Sequence, residues 1–144
     1  MKLFNAFLAG FIATLLCHQG VLSLLHSLNP EVPAAYNLSP VPPFGAPAVI
    51  SLAFWGGVWG IVLWQLIKNS SGMKYWLLAL VIGAVGPSAV ALFIVMPLKG
   101  LGVAMGWNPQ IIMGALILNA AWGLGTGFFI KLLPDNSPKA PDEA

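Results

Sequence analysis

Two histidines, His18 and His26, and the single cysteine, Cys17, have the widest chemical range in this chain of 144 residues, and all lie at or just beyond its first apolar run. An imidazole there can ligate a metal, relay a proton or hydrogen-bond a neighbouring helix. Eight residues of helix set the two rings on one general side but about 12 Å apart along the axis. They cannot share an ion whose ligands sit about 2 Å away. Cys17 and His18, as neighbours, point about 100° apart and do not converge. A metal at His18 would need Met96, Met105 or Met113, and soft sulfur ligands would favour copper(I). Haem would need a second axial ligand, and Met113 comes at a different depth, so a bis-histidine site would take a second copy of the chain. No cofactor or metal is expected of the chain by itself.

The carboxylates Glu31, Asp135, Asp142 and Glu143 all fall outside the apolar runs. No paired acids and no nucleophile–base arrangement can be assembled within them, so an enzyme is not expected. The six basic residues are all lysines and form no patch for nucleic acid. The candidate functional residues are therefore polar ones inside apolar helices: Thr14, His18, Gln19 and His26 in the first run and Asn119 in the last. The plainest role for His18 is a neutral imidazole bonded to Asn119, Thr126, Ser51 or a backbone carbonyl. A ligand or proton role and a substrate-facing role stand beside it.

What must position these residues follows from composition. With 58% hydrophobic and 7% charged residues and a mean hydropathy of +0.87, the chain lacks the charge to cover a water-facing surface. Four runs are long enough to cross a bilayer as helices, at about 4–25, 48–67, 75–95 and 111–133. They are continuous rather than alternating, which excludes a β-barrel. The predicted fold is an all-α integral membrane protein, an up-down bundle of four transmembrane helices. The first run is longer than a signal core, lacks a small-x-small site after it, and reads as a retained helix. Lys2, Lys68, Lys74, Lys131 and Lys139 share one side against Lys99 on the other, which puts both termini in the cytoplasm, in the manner of a bacterial inner-membrane protein.

Small residues should set the packing. Ala6, Ala9, Ala13, Cys17 and Gly20 make a stripe on the first helix; Ala53, Gly56 and Gly60 make one on the second; Gly123 and Gly127 belong to the fourth. Asn5, Thr14, His18, Gln19, Ser23 and His26 form a polar arc that must meet protein or water. The loop 29–47 carries six prolines and folds over the outer end or merely connects, with Tyr36 and Phe44 as headgroup anchors. The short turn 69–72 makes the second and third helices antiparallel neighbours. Pro87 should kink the third helix and Pro97 end it, while 98–106 reads as a mobile glycine-rich loop and 134–144 as a disordered tail. The second helix also slides onto the fourth with an offset of about 63 residues, Trp59-Gly60 on Trp122-Gly123, whereas Gly10 on Gly83 is nearly all that joins the first and third. Two tandem helical hairpins would give that pattern; so would a biased alphabet.

Three functions remain open. The leading one is a structural or accessory membrane subunit or homo-oligomer, partnered by the bilayer and by another membrane chain or its own copy. The alternatives are a small oligomeric channel or carrier along the polar arc, and a metal- or haem-binding redox protein.

Overall fold

The structure, a computed structural model, describes residues 2–135. The expected tail therefore lies outside the described residues from position 136 onward. The chain is mostly helical, with four helices long and apolar enough to cross a membrane: α1 (Lys2–Leu28), α2 (Ala48–Ile67), α3 (Gly72–Leu98) and α4 (Pro109–Leu132). α4 starts where Asn108 caps it, its Oδ1 accepting the Gln110 N–H at 3.0 Å, with Pro109 in the first position, where a missing N–H costs nothing. Only 22–28% of the most apolar stretch of each helix is buried. Large side chains such as Phe4, Trp55, Phe93 and Phe128 stand at least half exposed.

Backbone contact at small residues joins the helices. In the α1–α2 pair, a Cβ on Gly10 would strike the Gly56 carbonyl and lie 2.9 Å from the Gly60 Cα, and one on Gly60 would strike the Ala6 carbonyl. In the α3–α4 pair, a Cβ on Gly83 would lie 2.6 Å from the Gly123 Cα, and one on Gly123 would strike the Ala79 carbonyl. Adding 73 to Ala6 and Gly10 gives Ala79 and Gly83, and adding 63 to Gly60 gives Gly123, so the two contacts are one arrangement in different parts of the chain. Both pairs are antiparallel. α1 and α4 also pack closely, Ala13 and Cys17 against Gly125, whereas α2 and α3 meet sparingly, chiefly where Trp59 covers Gly86. The core between them gathers Ala13, Leu63, Ile67, Tyr75, Ala79 and Trp122.

Two helices depart from regular geometry. In α1, Thr14–His18 form a π-helical turn in which the Gln19 N–H reaches back to the Thr14 carbonyl. This extra residue per turn rotates everything after it relative to what precedes. The predicted stripe therefore breaks: Ala6, Ala9 and Ala13 are buried, but Gly20 is exposed and a Cβ on it would meet nothing. Gly20 is not a packing residue within this chain. α3 runs through Pro87 and widens into a second π-helical turn at Ala91–Val95. Pro97 does not end the helix as expected. In that wide turn the Met96 N–H reaches back to the Ala91 carbonyl, Pro97 has no N–H to place, and α3 stops after Leu98, with Gly100 at φ 75°.

The connections are ordered too. Residues 104–107 form a left-handed turn, with φ of 48°, 49°, 77° and 59°, closed by the Asn108 N–H on the Ala104 carbonyl at 3.0 Å and by Trp107 edge-on to Phe93. The loop 29–47 folds back along α1 and carries a two-residue antiparallel ribbon, β1 (Pro40–Val41) and β2 (Ala46–Pro47). The Asn37 and Ser39 carbonyls accept the Val49 and Ala48 N–H groups at 2.9 Å, which ties the loop to the start of α2.

Candidate functional site

The polar arc of α1 is divided among several partners rather than lining one path. At its start Asn5 Nδ2 donates to the Pro134 carbonyl at 2.9 Å. Thr14 is buried, its hydroxyl donating to the Gly10 carbonyl at 2.9 Å. The same carbonyl accepts the Trp122 indole N–H at 3.0 Å, and Thr126 donates to the Trp122 carbonyl at 2.8 Å. This buried chain of bonds is the polar link between α1 and α4. Sequence reasoning placed Trp122 in a packing series and missed its role as a donor; a buried indole with one N–H needs an acceptor, which is the signal that could have found it.

Gln19 is buried in the C-terminal half of α1. Its Oε1 accepts the Tyr36 N–H at 2.7 Å, and its Nε2 lies 3.2 Å from His18 Nδ1. Tyr36 in turn donates its hydroxyl to the Leu15 carbonyl at 2.8 Å and has φ 57°, a region that disfavours a bulky residue. Both ends of Tyr36 are thus held by α1, and the loop is clamped to the middle of that helix. His18 is half-buried, and its observed partner is Gln19, not the expected Asn119, Thr126 or Ser51. His26 lies near the C-terminal end of α1 with Nδ1 2.5 Å from the Val32 carbonyl, where it fastens the first turn of the loop.

Asn119 sits at the other seam. Its Nδ2 donates to Ser88 Oγ at 3.0 Å, joining α4 to α3 beside Gly83 rather than bonding an α1 side chain. Tyr75 closes the other end of that pair through its hydroxyl on the Gly127 carbonyl at 2.7 Å. Gly56, Gly60, Gly123 and Gly127 all lie in helix contacts, as do Ala13 and Cys17 on the α1–α4 side. Among the described residues no buried side-chain nitrogen or oxygen lacks a partner, and no three His, Cys, Asp or Glu side chains gather.

Two surface clefts stand out, and neither takes in His18, Gln19 or Asn119. One, of about 590 Å³, is an apolar groove between the C-terminal half of α1 and α4, lined by Leu16, Cys17, Gly20 and Phe128 among others. The other, of about 430 Å³, opens at the opposite end between the start of α1 and the ends of α2 and α4. The geometry defines a class: a helical protein whose buried polar side chains, among the described residues, are bonded within the chain, some across helices and some within one helix or to a loop. Comparison with known protein families, curated proteins and solved structures finds no match for the chain.

Proposed function

We propose that the chain is an integral membrane protein whose four helices cross the bilayer in up-down order, with both termini on the cytoplasmic side, and that it serves as a structural or accessory subunit or a homo-oligomer without enzymatic activity. The observation that carries this reading is that Thr14, Gln19, Asn119 and Trp122, the polar side chains at mid-span, each bond another part of the same chain. A transport path would instead leave such groups facing a wet cavity. The exposed apolar side chains on every helix support insertion in lipid, since in water they would form patches far larger than a soluble monomer carries. The matching contacts at Gly10–Gly60 and Gly83–Gly123 favour two tandem hairpins related by an axis along the membrane normal. The inward seams use most of the small residues, and the α1–α4 groove with Gly20 remains as the face for a second chain. Native mass spectrometry of the detergent-extracted protein tests the reading. Dimers or higher species, or a stoichiometric partner, are expected; a bare monomer under mild extraction would overturn it.

A further inference from the structure

The 430 Å³ cleft at the lysine-rich end combines features that the helix seams do not use. Its walls come from three helix ends. Lys2 and Asn5 belong to α1, Trp64, Lys68 and Asn69 to α2 and the turn after it, and Ile130 and Leu133 lie at the end of α4. Two lysines from different parts of the bundle thus line one concavity together with the apolar Ala6, Ile130 and Leu133. Lys68 Nζ donates to Gln65 Oε1 at 2.7 Å and lies 5.1 Å from the Trp64 ring centre. Lys2 Nζ is 3.2 Å from Asp135 Oδ2, with both side chains more than half exposed. Each ammonium has three N–H donors, so these contacts leave donors on both. Among the described residues that line the cleft, two lysines stand against one carboxylate. Lys131, the other cation at the end of α4, is engaged elsewhere, 4.3 Å from the Tyr75 ring centre.

We infer that this cleft binds the phosphate headgroup of an anionic phospholipid. Lys2 and Lys68 hold the phosphate, Asn69 lies beside it, and the apolar floor of Ala6, Ile130 and Leu133 receives the glycerol end of the acyl chains. Depth supports a lipid over a soluble anion: Trp64 and Lys68 end an apolar helix, the level at which indole rings and lysines meet headgroups. The Asp135 carboxylate already occupies the place of an anion beside Lys2, so it competes with the headgroup. The inference rests on the chain being a membrane protein. That premise fails separately if the chain is recovered from cells without detergent.

The test is native mass spectrometry of the full chain taken from bilayers of phosphatidylglycerol and phosphatidylcholine in equal amounts. The wild type should retain phosphatidylglycerol preferentially. Lys2→Gln with Lys68→Gln should lower that preference by about five-fold per lysine, roughly twenty-five-fold together, with helical content and thermal transition unchanged. Asp135→Asn should raise it by about five-fold. Lys74→Gln, at the same end but outside the cleft, should leave it unchanged, and millimolar inorganic phosphate should not displace the lipid. Retention in proportion to the bilayer would overturn the inference. So would an equal loss in Lys74→Gln, which would mean diffuse charge, or displacement by inorganic phosphate, which would mean a free-anion site. If the double variant unfolds, Asp135→Asn decides alone: no gain in retention refutes the inference.

Discussion

Replacing Gly60 and Gly123 by alanine, one at a time, tests the packing argument most directly. A Cβ at Gly60 would lie against the Ala6 carbonyl and 3.0 Å from the Gly10 Cα; at Gly123 it would lie against the Ala79 carbonyl and 2.8 Å from the Gly83 Cα. These obstacles are backbone atoms of the neighbouring helix, so no rotamer change relieves them, and the helices must move apart. Overpacking of this kind costs about 1–3 kcal/mol, against a helix-propensity gain of about 1 kcal/mol for Gly→Ala. The net expectation is a loss of up to about 2 kcal/mol at each site, similar at both because the contacts match. Gly20→Ala is the control. Its Cβ would meet nothing within the chain, so in micelles dilute enough to hold single chains it keeps the propensity gain of up to about 1 kcal/mol and should stabilise slightly. The assay is reversible unfolding in mixed micelles, followed by circular dichroism. If Gly60→Ala and Gly123→Ala prove as stable as Gly20→Ala, the close seams are not what holds the pairs together. If only one is destabilised, the equivalence of the two hairpins fails.

Other outcomes follow from the hydrogen bonds and the topology. Trp122→Phe removes the donor to the Gly10 carbonyl, and Tyr75→Phe removes the donor to the Gly127 carbonyl; each should cost about 0.6–1.7 kcal/mol in the same unfolding assay, and no loss in either would refute a stabilising role for that bond. Gln19→Leu deprives the Tyr36 N–H of its acceptor, so amide exchange at residues 32–39 should speed while α3 and α4 are unaffected; unchanged exchange would mean the loop is held elsewhere. In a Cys17→Ala background, an impermeant thiol reagent should label Ser27→Cys on intact cells and Ser70→Cys only after permeabilisation, since the two lie at opposite ends of the bundle; the reverse pattern would invert the proposed orientation.

The four helices were legible because a run of about 20 apolar residues has few other readings, and the glycines marked the close contacts. Which seam meets which was not. Helical phase shows that Gly10 and Gly60 lie on faces able to pack closely, but several pairings satisfy that equally. The π-helical turn at Thr14–His18 has no sequence signature, so a stripe drawn at regular spacing carried Gly20 onto the wrong face. Pro97 did offer a signal for the turn at Ala91–Val95, read instead as a helix end. The Gln19–Tyr36 clamp joins residues 17 apart through a loop whose path depends on where α2 begins. Lys2 and Asp135 come together only once both ends of the chain are folded.

Where the two hairpins differ explains the shape of the bundle. Trp59 and Trp122 are equivalent under the 63-residue offset, and each crosses to the first helix of the other hairpin: Trp122 donates to the Gly10 carbonyl, and Trp59 covers Gly86. Yet α1 and α4 close tightly while α2 and α3 do not. The decisive position is Gly125, which admits Cys17 and Ala13 against the α4 backbone. Its equivalent on α2 is Val62, 41% exposed, so α2 has a branched side chain where α4 has bare backbone. The Trp122 N–H and Thr14 hydroxyl then converge on one carbonyl in the closed interface. On the proposed tandem-hairpin reading, a glycine present on α4 and absent from α2 accounts for close α1–α4 contact from Gly10 to Gly125, below the groove at Gly20, and for the looser α2–α3 side.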